Sequence, residues 1–179
     1  MAEIILITGG ARSGKSRYAQ TRAEALPGVR AYIATCPVLD SEMGDRIKRH
    51  QKDRHGLGWQ TIEETVDLAG LLATEDGFDL VLIDCLTLWI NNLLYTEGTI
   101  PSLNEDRIST LCHELIAVCR QRTGTVIMVT NEVGSGIVPE NQVARRYRDL
   151  VGRCNQVIAA AADELVLVVC GQSLKIKGE

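Results

Sequence analysis

Short, wholly apolar runs alternate along the chain with longer segments in which apolar residues recur every three or four positions. Ile4 to Thr8, Ala31 to Thr35, Leu80 to Asp84 and Thr125 to Thr130 are runs of the first kind, with little polar alternation, as in strands covered on both faces. Leu165 to Val169 and Leu174 to Lys177 are predicted to close the chain as two more strands, joined by a hairpin across Gly171-Gln172. The second kind predicts helices. One runs from Lys15 to Leu26 and is stopped by Pro27-Gly28. Another covers Ser41 to about His55, with Asp40 or Ser41 as N-cap and Gly56 beyond its end. Val66 to Thr74, Ile108 to Arg122 and Val143 to Ala161 follow; in the last, Val143, Tyr147, Leu150, Val151, Cys154, Ile158 and Ala161 share one face. Tyr95 to Asp106 shows neither period. Doubly covered strands alternating with helices predict an α/β fold: a mostly parallel sheet flanked by helices, with a C-terminal strand pair. With no internal repeat and no linker, residues 1–179 read as one domain.

Charge and composition narrow the function classes. The chain has 179 residues, with 19 basic against 23 acidic side chains, a net charge of −4. No global basic field draws it to nucleic acid. Two Trp, four Tyr and one Phe are too few rings for a single-strand stacking groove. No apolar run is long enough to span a bilayer, and Met1-Ala2-Glu3 lacks the basic start of a secretory leader. The six cysteines form no C-x-x-C pair or zinc spacing, and several lie in apolar runs as small hydrophobes. A reduced, cytoplasmic protein is expected.

Gly9-Gly10-Ala11-Arg12-Ser13-Gly14-Lys15-Ser16 fits G-x-x-x-x-G-K-[ST], with a predicted strand before it and a helix after. Glycines let the backbone curl so that successive N–H groups face one anion, and the helix start adds partial positive charge. Lys15 would reach the β- and γ-phosphates, and the Ser16 hydroxyl would bind Mg2+. Leu80-Val81-Leu82-Ile83-Asp84 supplies the companion, a buried strand ending in a carboxylate for the same ion. Together they predict a bound Mg-nucleotide.

Arg46-Ile47-Lys48-Arg49-His50-Gln51-Lys52-Asp53-Arg54 carries five basic residues and one acid. On a helix Arg46 and Arg54 flank His50 at four-residue steps, and nearby cations favour the neutral imidazole that attack on phosphorus requires. His50 also shares a face with Met43 and Ile47, so by its residues alone it reads as a packed or capping histidine on a solvated basic helix. His113 reads as structural, and His55 as a helix-end residue.

Larger blocks carry a family resemblance. After the phosphate loop come Tyr32-Ile33-Ala34-Thr35, Arg46-Ile47 with His50, and Trp59-Gln60-Thr61-Ile62-Glu63. Then follow Thr130-Asn131-Glu132-Val133-Gly134-Ser135-Gly136-Ile137-Val138-Pro139-Glu140-Asn141 and Tyr147-Arg148-Asp149-Leu150-Val151-Gly152-Arg153-Cys154-Asn155-Gln156. In this order they resemble the bifunctional adenosylcobinamide kinase/adenosylcobinamide-phosphate guanylyltransferases of cobalamin synthesis, over nearly the whole chain.

That resemblance implies a RecA-like P-loop fold and two reactions on one corrinoid. A nucleoside triphosphate, ATP or GTP, phosphorylates adenosylcobinamide; GTP then gives GMP to the new phosphate through a covalent guanylyl-histidine. His50 falls at the histidine's position, and Lys15 would act with it in catalysis. Nucleotide contacts carry over to Gly9, Gly10, Ala11, Arg12, Ser13, Gly14, Lys15 and Ser16; to Ala34, Thr35 and Cys36; to Gln51, Lys52, Asp53 and Arg54; and to Glu63 and Asp84. Ser16 and Asp84 would hold Mg2+. Members often have Ser at Cys36 and some have Glu at Asp84. A homo-oligomer, a trimer, is expected from the family. The Asn131 to Asn141 loop would touch corrinoid or nucleotide, or serve only as a structured turn. Arg145, Arg146, Arg148 and Arg153 read as a solvated helix face. A single-function P-loop small-molecule kinase without the covalent step is the alternative.

Overall fold

Side chains that alternate along each strand enter two separate cores. In the computed structural model, which describes residues 1–37, 54, 56–96 and 103–178, seven strands form one sheet. They are β1 (Glu3–Thr8), β2 (Arg30–Ala34), β3 (Trp59–Glu63), β4 (Leu80–Asp84), β5 (Thr125–Val129), β6 (Glu164–Val169) and β7 (Gln172–Lys177). Their order is β3-β2-β4-β5-β1-β6-β7, parallel throughout except for the antiparallel β6–β7 pair. Ile4, Leu6, Val81, Ile83, Val126 and Met128 face one core, where α2 (Leu68–Thr74), α3 (Leu86–Thr96), α4 (Glu105–Gln121) and α5 (Gln142–Ala161) pack. Ile5, Ile7, Leu80, Leu82, Ile127 and Val129 face the other, where Ala19 and Ala23 of α1 (Lys15–Glu24) are fully buried. Period-two burial on both faces is what continuous apolar strands require.

The predicted α/β sheet and its C-terminal strand pair are present. Two elements lay outside the apolar pattern. Strand β3 is an edge strand with mostly exposed polar residues, so it forms no apolar run. Helix α3 (LTLWINNLLYT) is buried on most sides and shows no three-four period; it takes in Tyr95, which read as irregular chain. The final hairpin turns across Cys170-Gly171, not Gly171-Gln172, because Gln172 already pairs with Val169. Positive φ values of 52° and 77° at Cys170 and Gly171 suit a tight two-residue turn. The predicted Ser41 to His55 helix lies outside the described residues, apart from the helical Arg54.

The helix arginines also differ from expectation. Arg145 donates to the Pro139 and Glu140 carbonyls at 2.9 and 2.6 Å, Arg146 to Leu103 O at 2.6 Å and Arg153 to Ser109 Oγ at 2.6 Å. They pin neighbouring chain to α5 instead of forming a solvated face. Among the described residues no helix is long and apolar enough to cross a membrane.

Gly124 marks the other end of the sheet, with φ at 81° and Asp79 O only 1.9 Å from where a Cβ would sit. Gly124→Ala is therefore expected to cost about 1–3 kcal/mol, read as a lower denaturant midpoint at unchanged slope.

Candidate active site

Strand register assembles the site. Glu63, Ala34, Asp84, Val129 and Ile7 stand in one row across β3, β2, β4, β5 and β1. At roughly 5 Å between strands, the row spans roughly 20 Å along the C-terminal edge of the sheet. Ligands of parallel α/β sheets bind beyond that edge. The phosphate loop leaves β1 there, and Thr35 and Cys36 leave β2.

Tight backbone contacts shape the phosphate loop. Ser13 N–H donates to Gly10 O at 3.2 Å, and Gly171 N–H in the last hairpin donates to Ser13 O at 2.8 Å. Arg12 adopts a left-handed φ of 56°, and Gly14 (φ 95°) is the N-cap of α1. Glycine places no side chain over the free N–H groups at that helix start, and the first turn holds no acid. Lys15 is 8% exposed and its ammonium donates to Gly10 O at 3.1 Å, across the loop. Around this cradle the Thr8 and Ser13 hydroxyl oxygens and Asn131 Oδ1 are buried without a hydrogen-bond partner. Such orphans are costly unless a ligand completes them.

A second group surrounds Asp84. The Tyr32 hydroxyl donates to Asp84 Oδ2 at 3.1 Å, and burial with the Asp84 charge pushes that phenol well above its usual value, so it stays a donor. The guanidinium of Arg54 lies 3.5 Å over the Tyr32 ring. Arg54 is only 4% exposed, and its Nε and Nη1 are buried without partners. Trp59 meets the same ring edge-on and donates to Glu24 at 3.1 Å. Cys85 follows Asp84, but burial first and the Asp84 charge second raise its thiol to about 11, so it is no nucleophile at neutral pH. Thr35 is fully buried; its hydroxyl donates to Cys85 O (2.8 Å) and accepts from Cys85 N–H (2.7 Å), tying β2 to β4. Its side chain is thus occupied within the protein.

The structure brings together the phosphate loop, Ala34, Thr35, Cys36, Arg54, Glu63 and Asp84 on one edge. His50, Gln51, Lys52 and Asp53 lie outside the described residues, as does His55. His113 is exposed on α4. Sequence reasoning gave no role to the Tyr32 phenol, which acts through strand order, or to the Asn155 amide, which acts through the packing of α5 on the end of β5. A hydroxyl at Ser16 and a carboxylate at Asp84 are hard oxygen donors of the kind Mg2+ takes beside nucleotide phosphates. Tyr32→Phe keeps the ring under Arg54 but frees the Asp84 carboxylate. It is expected to weaken Mg2+ binding by the nucleotide-loaded protein roughly tenfold in a metal titration, with little loss of melting temperature.

A glycine-rich loop between a parallel strand and a helix, facing a strand-end carboxylate, defines a P-loop nucleotide-binding protein of the α/β class. Residues 5–176 match the family described as cobinamide kinase / cobinamide phosphate guanyltransferase, and the chain belongs to that family. It is 45% identical over 182 residues to the bifunctional adenosylcobalamin biosynthesis protein CobU of Salmonella typhimurium, covering 97% of this chain and 99% of that protein. The Escherichia coli protein of the same name is 43% identical over 185 residues, with the same coverage. The bifunctional adenosylcobalamin biosynthesis protein CobP of Pseudomonas aeruginosa is 38% identical over 175 residues, covering 97% of each. The chain is thus an enzyme of cobalamin biosynthesis, from a family with kinase and guanylyltransferase activities that use nucleoside triphosphates.

Proposed function

We propose that this chain phosphorylates adenosylcobinamide with a nucleoside triphosphate and then converts the product to adenosylcobinamide-GDP through a guanylyl-histidine on His50. What carries the proposal is the set of orphaned buried polar atoms along one sheet edge: Thr8, Ser13 and Asn131 beside the phosphate loop, and Arg54 beside Asp84. In the first step the corrinoid alcohol oxygen bonds to the γ-phosphorus, the β–γ bridging bond breaks and the nucleoside diphosphate leaves. In the second, the His50 imidazole bonds to the α-phosphorus of GTP and pyrophosphate leaves. A corrinoid phosphate oxygen then displaces the histidine nitrogen and carries GMP away. Dividing the transfer replaces a single encounter between anions with two easier displacements.

Within this scheme Gly9 to Ser16 cradle phosphates, with Lys15 neutralising charge on the transferred group. Ala34, Thr35, Cys36, Glu63 and the Gln51 to Arg54 stretch frame the nucleotide. Ser16 and Asp84 would hold Mg2+, which when bound neutralises phosphate charge. The chain works as one domain in the cytoplasm, assembled as a homotrimer. Exposed Val169, Leu174 and Ile176 at the free end of the sheet support self-association.

The test is incubation with Mg2+ and either α-labelled GTP alone or γ-labelled GTP with adenosylcobinamide, then denaturation. Acid-labile label on protein from α-GTP, with γ-label on the corrinoid, is expected. Label on the corrinoid from γ-GTP and none on protein would leave a plain kinase.

A further inference from the structure

Strand β5 separates the two halves of the nucleotide site. It lies between β4, which ends in Asp84, and β1, which ends in the phosphate loop. Whatever follows β5 therefore stands between the carboxylate and the loop. The chain there is fixed from both sides. Thr130 N–H donates to Ile7 O at 2.9 Å, and Glu132 N–H donates to Gly9 O at 3.3 Å. From α5, Asn155 accepts the Thr130 hydroxyl at 2.6 Å and donates to Asn131 O at 3.0 Å. Asn131 is thus held by its neighbours and by its own carbonyl, while its side-chain oxygen Oδ1 is buried with no partner.

The sign of that orphan matters. A carboxamide oxygen only accepts hydrogen bonds, and phosphate at neutral pH has little to donate. The complement of Asn131 Oδ1 is a hydroxyl or an amine, and the acceptor in phosphoryl transfer is an alcohol that must lie between the γ-phosphate and the metal-binding edge. We infer that Asn131 is the residue that receives the attacking alcohol, its Oδ1 accepting the hydroxyl hydrogen bond and aiming the oxygen at the γ-phosphorus. This rests on the two-step function proposed above. The amide takes no proton: as the new O–P bond forms and the β–γ bridging bond breaks, the hydroxyl proton leaves to a phosphoryl oxygen or to water. A site that pairs a substrate hydroxyl discriminates strongly against losing that bond.

Three variants and two readouts test it. Asn131→Ala removes the acceptor; Asn131→Leu removes it at similar volume and stands in if the alanine variant fails to fold; Asn131→Asp keeps an acceptor oxygen. For the first two, kcat/KM for adenosylcobinamide phosphorylation should fall about 100-fold, while Kd for a fluorescent GTP analogue moves less than about threefold. Asn131→Asp should recover part of the lost rate. Phosphorylation within threefold of wild type overturns the inference, as does an equal loss of nucleotide binding, which would make Asn131 a nucleotide or structural contact. If the wild-type protein phosphorylates no corrinoid, it is the two-step function that fails.

Discussion

His50→Ala is expected to carry no acid-labile label after incubation with α-labelled GTP and Mg2+, and to transfer GMP to the corrinoid phosphate at least about a thousandfold more slowly. A phosphorus–nitrogen bond needs the imidazole lone pair, and alanine offers none. Without it a corrinoid phosphate dianion must attack a triphosphate directly. Release of the γ-phosphoryl group to the corrinoid alcohol does not pass through the imidazole, so that rate should fall far less. Lys15→Ala makes the contrast. Lys15 is buried and its ammonium reaches across the phosphate loop, and removing that charge should lower both reactions by about 100-fold or more. One variant that separates the steps and one that does not would locate the covalent chemistry at His50. Label persisting on the His50→Ala protein would move it elsewhere.

How much of this was open to reading from sequence depends on how local each signal is. The phosphate loop is eight consecutive residues whose spacing carries its mechanism, and the structure puts a glycine at the helix cap and the lysine across the loop. Asp84 was legible because an apolar run ends in a carboxylate. Glu63 enters only through the family resemblance, since β3 lies at an edge with polar faces and leaves no apolar run. The Tyr32 phenol depends on strand order; the loop from Asn131 is visible in the sequence as a ligand contact or a turn, but the role of its first side chain is not. Nothing near Tyr32 in sequence points to Asp84, 52 residues on, yet register places their strands side by side. Asn131 gains its position because β5 inserts between β1 and β4, a topological fact that no periodicity encodes. The helix arginines show the opposite failure: charge patterning predicted solvent, and three of them were taken up by carbonyl or hydroxyl oxygens of nearby chain.

The loop's own glycines give the second large effect. A Cβ at Gly9 would stand 2.4 Å from Val168 O and 2.7 Å from Ser13 Oγ, whereas one at Gly10 meets nothing within 4 Å. Val168 O belongs to the backbone of β6, which is paired to β1 on one side and β7 on the other, so it cannot yield as a side chain tip would. Gly9→Val must therefore push the loop itself outward, and the N–H groups that converge on one phosphate lose their common focus. Nucleotide affinity is expected to fall at least about 100-fold, and both transfers with it, while the strand and helix cores persist at a cost of about 1–3 kcal/mol. Saturating GTP with Mg2+ raises the melting temperature of the wild type by linkage, and that rise should vanish in Gly9→Val. Gly10→Ala, with open space around the new methyl, should retain most of it. Equal behaviour of the two variants would show that close approach of β6 to the loop does not set its shape.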